Sequence, residues 1–154
     1  MPAHKLRYSV LEGRFAVCQL PATAPLPEWA LRGSMFSITR TTTELSIVCS
    51  EVRSEEHAPA GVRAESGWAC LRLQGPFPFE MTGVLTAFLN PLAAAGIAIF
   101  AVSTFDTDYV LLKNDRLSAA LAALEQAGHE RLHERLDERL HERLDERSGE
   151  PSPA

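Results

Sequence analysis

The most chemically suggestive stretch of the sequence is HERLH, residues 129–133, which spells H-E-x-x-H. On a helix, this spacing places two imidazoles on one face for a zinc ion, with a glutamate beside them as general base for peptide hydrolysis. A catalytic zinc also needs a third protein ligand and an open coordination position. The extended form of the motif would put a histidine at position 139, where the sequence has Arg139.

The motif is one phase of a four-residue repeat, [HD]-E-R-[LS], that runs five times between His129 and Ser148. The repeat generates the spelling without any requirement for zinc, so we expect no metal site, no cofactor and no enzyme. Opposite-charge pairs on such a helix contribute only about 0.2–0.5 kcal/mol each, and like-charge pairs cancel much of that. Residues 129–154 are therefore predicted to be a low-complexity charged tail, helical or disordered. A helix that dimerises or binds a partner is the alternative.

Composition restricts the class of protein. The chain has 154 residues, of which 45% are hydrophobic, enough for one ordinary domain or two very small ones. A net charge of −5 without a basic stripe argues against nucleic acid as a partner. No apolar run has the length of a signal peptide or a membrane span, so no membrane partner is expected. Three widely spaced cysteines predict buried, reduced thiols and a cytoplasmic protein.

Residues 5–60 alternate β-rich runs with turns. The run RYSVLEGRFAVCQL predicts one or two strands broken at Glu12-Gly13, and PATAPLPEW predicts a loop leading into a short helix. SMFSITRTTTELSIVCS predicts a hairpin that turns at residues 41–43, and a polar connector follows it.

Residues 61–128 have a more regular pattern. GWACLRLQG predicts a strand that ends at Gly75, and VLTAFLNPLAAAG predicts a helix that Pro91 should kink, freeing the carbonyl four residues earlier. IAIFAVST and DYVLLKN predict two strands joined by a tight turn. DRLSAALAALEQAG predicts a helix with Asn114 or Asp115 as its N-cap. The order β-α-β-β-α is one strand short of a ferredoxin-like module, and residues 5–60 read as a shorter copy of the same plan.

Two features near each other in this module could bind a small molecule. The turn between the paired strands carries Asp106 and Asp108, although aspartate is also an ordinary turn residue that bonds to its own backbone. The first amides of the helix, around Thr82 and Gly83, are unpaired donors at the positive end of a helix dipole and suit a carboxylate. Amides for a carboxylate and an aspartate for an ammonium together describe a site for a free amino acid. The histidines outside the tail, His4 and His57, lie in polar segments and are predicted to be solvated.

The stretches FSITRTTTELSIVC, GVRAESGWACLRLQG and TGVLTAFLNPLAAAGIAIFAVSTFDTDYVLLKNDRL, in that order, resemble the bacterial tandem ACT-domain proteins. These are related to the cytosolic arginine sensors called CASTOR and to the regulatory domains of aspartate kinases. The resemblance implies an α+β fold: two ferredoxin-like (βαββαβ) ACT modules that share a sheet, at residues 5–60 and 61–128. Where the family closes its last module with a strand, this chain has the repeat, so either the segment near Leu6–Val10 fills that edge or the edge is open.

The resemblance also implies a function and a site. The function would be non-catalytic sensing or allosteric regulation by a bound amino acid, with a homodimer as an open question. A protein-interaction module with a vestigial pocket, which uses the tail helix, is the alternative. Gly83 and Val84 would offer amides to the ligand carboxylate, and Asp108 would meet its amine or basic side chain. The full predicted site comprises Thr82, Gly83, Val84, Ser103, Thr104, Phe105, Asp106 and Asp108.

Overall fold

The computed structural model describes residues 4–51 and 62–133. They form eight strands and two helices, an α+β fold as predicted. The strands are β1 (Arg7–Val10), β2 (Phe15–Leu20), β3 (Ser37–Arg40), β4 (Leu45–Ser50), β5 (Arg63–Leu73), β6 (Ile99–Ser103), β7 (Asp108–Lys113) and β8 (Glu130–Leu132). The helices are α1 (Val84–Ala94) and α2 (Leu117–Gln126). No helix in these two ranges is long and apolar enough to span a bilayer.

The N-terminal strands follow the predicted pattern closely. β1 and β2 are separate strands, because Gly13 between them has a φ of +83°, a left-handed conformation that glycine adopts without a steric penalty. β3 and β4 form the predicted hairpin, closed by a hydrogen bond from the amide of Thr41 to the carbonyl of Glu44. The short helix predicted after the proline-rich loop is a single 3-10 turn, Glu28–Ala30.

β5 is the strand on which the two halves of the fold meet. It is longer than GWACLRLQG suggested, because it starts at Arg63. Its first half pairs with β2, and its second half pairs with β7 on one side and with β1 on the other. The sheet therefore runs β3-β4-β2-β5-β1-β8, with β7 and then β6 attached to β5.

The prediction for residues 129–132 was wrong. They are not the start of a tail: His129 is only 6% exposed, and Glu130–Leu132 form β8, which pairs in parallel with β1. The order from β5 to β8 is therefore β-α-β-β-α-β, the complete ferredoxin-like order. Of the two expectations for the sheet edge, the first is confirmed, because β1 lies against β5; β8 then extends the sheet outside β1. The rest of the repeat lies outside the described residues.

Three apolar clusters stabilise the sheet. The largest fills the space between the C-terminal strands and the two helices, with Tyr8, Phe88 and Leu124 among its fully or almost fully buried members. A second covers one face of β2 and β4, and a third lies between the N-terminal strands and the β5–β7 pair. Since Phe15 and Leu111 share the third cluster, the two halves pack on one another through side chains as well as through β5.

The helices follow from apolar residues at four-residue intervals. The sequence pattern predicts Val84, Leu85, Phe88 and Leu92 on one face of α1; Leu85 is only partly buried, and the other three are buried. α2 begins later than predicted: residues 114–116 form a 3-10 turn, and no side chain caps the helix, so neither Asn114 nor Asp115 is its N-cap.

The three cysteines are buried and free, as predicted. Cys18 on β2 and Cys49 on β4 are diagonal neighbours on one face of the sheet, and their thiols share a hydrogen bond that lowers the pKa of Cys18 and raises that of Cys49. Burial raises the pKa of the Cys70 thiol to about 12. The thiols of Cys49 and Cys70 are therefore poor nucleophiles at neutral pH, because the thiolate is the reactive form.

Candidate functional site

The start of α1 forms one wall of a cleft at the end of the C-terminal strands. Gly83, with a φ of +77°, turns the chain into the helix, and the first helical bond runs from the amide of Ala87 to the carbonyl of Gly83. The amides of Val84, Leu85 and Thr86 therefore have no acceptor within the helix. These residues line the cleft, so the positive end of the helix dipole faces it.

The turn between β6 and β7 forms the opposite wall. A hydrogen bond between Thr104 and Thr107 closes the turn: the amide of Thr104 donates to the carbonyl of Thr107 at 2.8 Å. At its base, the hydroxyl of Ser103 donates to Oδ1 of Asp108 at 2.5 Å. The buried hydroxyl of Thr107 donates to the carbonyl of Leu73 at 2.7 Å, which fixes the turn against the end of β5.

The loop between β5 and α1 ties the two walls together. The amide of Phe77 donates to the carbonyl of Asp106 at 2.8 Å. Gly75 permits this approach, because a Cβ at that position would lie 2.6 Å from the same carbonyl oxygen. At the mouth, the rings of Phe79 and Phe105 meet edge to face with centroids 4.9 Å apart, and both side chains are more than 70% exposed. The walls of the cleft are therefore connected by backbone hydrogen bonds, and its rim is apolar.

The cleft has a volume of about 360 Å³, which suits a small molecule. Among the described residues that line it, the charged groups are the carboxylates of Asp106 and Asp108, with no lysine, arginine or histidine. The free amides on one wall can bind an anionic group, and the carboxylates on the other can bind a cation. A ligand that carries both charges matches this arrangement.

The structure brings seven of the eight predicted site residues to this cleft: Gly83, Val84, Ser103, Thr104, Phe105, Asp106 and Asp108. Thr82 lies beside the cleft and does not line it. Its carbonyl accepts a hydrogen bond from Nε2 of His4 at 2.9 Å. His4 is exposed, as predicted, but nothing in the sequence indicated this contact. His57 lies outside the described residues.

Sequence reasoning missed the lining residues Phe77, Phe79, Met81, Pro78 and Thr86. The only available signal for the first three was that PFPFEM places large apolar residues in a loop.

A smaller groove of about 220 Å³ lies between β3, β4 and β6. Its walls are hydroxyl-bearing and apolar residues such as Ser37, Ser46 and Phe100, and none of the residues lining it is charged. Ser103, at the end of β6, lines both this groove and the cleft.

The H-E-x-x-H segment has no geometry for zinc. His129 precedes a strand instead of lying on a helix, and both nitrogens of its buried ring are engaged: Nδ1 accepts from the amide of Leu6, and Nε2 donates to the carbonyl of Ala87. Within residues 4–51 and 62–133, no three histidine, cysteine or acidic side chains are grouped to hold a metal ion.

Comparison with known proteins identifies relatives that share this α+β fold. The family model for the ACT domain matches residues 63–126, and a second model, for an N-terminal domain, matches residues 13–56. A crystal structure of protein Atu0741 from Agobacterium tumefaciens has 41% identity and a TM-score of 0.77, covering 84% of this chain and 94% of that one. The regulatory subunit of aspartate kinase from Thermus flavus shares the fold, with a TM-score of 0.55 at 14% identity, covering 81% of this chain and 97% of that one.

Among curated proteins, the human cytosolic arginine sensor for mTORC1 subunit 1 is 32% identical over 60 residues. That match covers 38% of this chain but only 18% of the sensor, so most of the sensor has no counterpart in the matched segment. By its name this relative is a sensor, and the aspartate kinase chain from Thermus flavus is a regulatory subunit. Together with the fold, the ACT match across β5 to α2 and the match to the arginine sensor establish the family: the chain is a CASTOR-like ACT-domain protein, and it shares its fold with the regulatory subunit of aspartate kinase.

Proposed function

We propose that this protein is a non-catalytic, cytoplasmic sensor or regulator that binds a free amino acid in the cleft between the start of α1 and the β6–β7 turn. The observation that carries the proposal is the pairing of unpartnered helix amides on one wall with the carboxylate of Asp108 on the other. The ligand carboxylate would take the amides of Gly83 and Val84. Its amine would take Oδ2 of Asp108, since Ser103 already donates to Oδ1.

The charge of the cleft supports a basic amino acid. Asp106 and Asp108 face it without a cationic side chain among the described lining residues, so a ligand that brings only one positive charge leaves a carboxylate unpaired. The name of the curated relative, an arginine sensor, points the same way. Phe79 and Phe105 at the mouth would offer ring faces or edges to the ligand side chain.

We also propose that the two halves are tandem ACT modules, residues 5–60 and 61–128, with β8 extending the second module to Leu132, and that regulation acts through their packing. Ligand binding would favour one arrangement of the modules, with a response limited by the difference in affinity between the two arrangements. The shared strand β5 and the shared apolar cluster support this, because both connect the cleft-bearing half to β2 and β4. The reduced, buried cysteines support a cytoplasmic location.

A thermal-shift panel of the twenty amino acids tests the proposal. A ligand present at a hundred times its Kd should add about 2.7 kcal/mol to the free energy of unfolding. We expect L-arginine or L-lysine to raise the midpoint and L-aspartate and L-glutamate to leave it unchanged. Repeating the panel at two protein concentrations reveals ligand-linked formation of a homodimer. A midpoint that none of the twenty changes would contradict the sensor and favour an interaction module with a vestigial pocket.

A further inference from the structure

Pro91 leaves one carbonyl of α1 without its helical partner. Proline has no N–H, so the carbonyl of Ala87 cannot receive the bond that residue 91 would otherwise donate. In the structure that carbonyl accepts a hydrogen bond from Nε2 of His129 at 3.0 Å. The imidazole thus replaces a missing backbone donor in the first turn and a half of the helix whose start lines the cleft.

The ring of His129 is fixed on its other side by the N-terminal segment. Nδ1 accepts from the amide of Leu6 at 3.1 Å, and a carbonyl is the partner of Nε2, so this pattern of contacts assigns a ring proton to Nε2. The backbone holds the residue as well: its amide donates to the carbonyl of Leu124 at 3.0 Å. The ring also packs on Phe88 with centroids 5.5 Å apart, which leaves it little freedom to move.

A second histidine holds the other end of the same turn. Nε2 of His4 donates to the carbonyl of Thr82, immediately before Gly83, at 2.9 Å. The N-terminal segment that carries His4 is itself anchored beyond α2, because Nζ of Lys5 donates to the carbonyl of Ala127 at 2.6 Å. The free amides of the cleft therefore lie between two backbone carbonyls, of Thr82 and Ala87, that each accept an imidazole N–H.

We propose that His129 is a positioning residue for ligand binding. It holds the first turn of α1 at the position from which the amides of Gly83 and Val84 meet the ligand carboxylate, and His4 supports the same turn from its start. This inference rests on the proposed function of the cleft. It assigns the first histidine of the repeat to the binding site, although that histidine lines no part of the cleft.

Two conservative substitutions separate the two contacts of the ring. In His129→Gln the side-chain amide nitrogen stands near the place of Nε2 and can still donate to Ala87. In His129→Asn the side chain reaches only the place of Nδ1, so it can accept from Leu6 but leaves Ala87 without a donor. We expect His129→Asn to weaken binding of L-arginine about threefold to tenfold, the range of one hydrogen bond, and His129→Gln to keep most of the affinity. Ile47→Val, in the cluster between β2 and β4, controls for lost stability alone.

Pro91→Ala provides the decisive comparison, because residue 91 then has an N–H for Ala87. In that background His129→Asn should cost much less affinity than it does in the wild-type chain. Equal losses for His129→Asn and His129→Gln, or an undiminished loss beside Pro91→Ala, would overturn the positioning role and leave His129 as a packing residue.

A measurement without ligand keeps this inference separate from the proposed function. A long-range ¹H–¹⁵N spectrum of the full chain should show the His129 proton on Nε2, and hydrogen exchange at the amides of Ala87 and Phe88 should accelerate in His129→Asn but not in His129→Gln. A proton on Nδ1, or unchanged exchange, would overturn the inference even if an amino acid binds. If no amino acid changes the unfolding midpoint but the Nε2 proton and the exchange difference are both observed, only the proposal that the cleft binds an amino acid is contradicted.

Discussion

Nε2 of His129 donates a hydrogen bond to the carbonyl oxygen of Ala87, across forty-two positions of sequence. The donor belongs to a segment that spells a zinc-protease motif. The acceptor belongs to a helix that contains a proline and therefore lacks one backbone N–H donor. Each feature looks like an anomaly in the sequence, and each explains the other in the fold. The imidazole of the motif is used to complete a helix.

Asp108→Asn should remove most of the affinity for a basic amino acid. Asparagine keeps the size of the side chain and an oxygen for the hydroxyl of Ser103 but loses the charge that would bind the ligand amine. A hydrogen bond to a charged group contributes about 1.5–3 kcal/mol, so we expect Kd to rise about tenfold to a hundredfold by calorimetry. Asp115→Asn, in the exposed turn before α2, is the matched control. Unchanged affinity in Asp108→Asn would place the amine subsite elsewhere.

Gly75→Ala should damage the cleft from the loop side. The added methyl would meet the carbonyl oxygen of Asp106 at 2.6 Å, so the β6–β7 turn has to shift. We expect a loss of about 1–3 kcal/mol in the free energy of unfolding, measured with urea, together with weaker ligand binding. In Gly67→Ala the methyl meets nothing within 4 Å and only the positive φ is penalised, so it should lose stability and keep its affinity. Ligand binding that suffers equally in both variants would show that stability alone is responsible.

Ending the chain at Gly128 should destabilise the whole fold. This truncation removes β8, the ring of His129 and the hydrogen bond from the amide of Glu130 to the carbonyl of Leu6. At about 0.5–1.5 kcal/mol for each lost hydrogen bond, we expect the free energy of unfolding to fall by about 2–5 kcal/mol. The reference is a chain that ends at His133 and so keeps every described strand. Equal unfolding midpoints for the two chains would show that β8 contributes nothing to stability.

Alkaline pH should destabilise the protein through Cys70. Burial raises the pKa of this thiol to about 12, against about 8.5 in an unfolded chain. Above pH 8.5 the unfolded state therefore releases a proton that the folded state keeps, and stability that is fully present below this pH is lost as the pH rises towards 12. The limit for one group is about 1.4 kcal/mol per pH unit. Urea unfolding between pH 8 and pH 10 under reducing conditions should show a smaller decline for Cys70→Ala than for the wild type, and identical slopes would contradict the assignment.

The local spacing of apolar, β-branched and turn residues in the sequence was sufficient to predict most of the strands and both helices. Alternating β-branched runs and turns located β3 and β4, and apolar residues four apart located the buried face of α1. Seven of the predicted site residues meet in one cleft because a strand–helix loop and the following turn lie at the same end of a β-α-β-β unit. Their role in binding stays a prediction.

The errors arose where long-range contacts decide the structure. A charged four-residue repeat has no strand signal of its own, and Glu130–Leu132 form β8 only because β1 presents an unpaired edge beside them. His4 is exposed as its polar segment indicated, but its hydrogen bond to the carbonyl of Thr82 depends on the fold and was not foreseen. In both cases the partner is far away in the sequence, where local propensity carries no information.

The position of β1 determines when this protein can fold during synthesis. β1 is translated before every other described strand, yet its neighbours are β5 on one side and β8 on the other. The pairing of Arg7 with Glu130 spans 123 residues. A nascent chain can assemble the hairpin of β3 and β4 early, but β1 must wait for almost the whole described chain to leave the ribosome before its second edge is covered. We therefore expect the closing of the terminal strands to be a late and slow event, as is usual for folds with distant contacts.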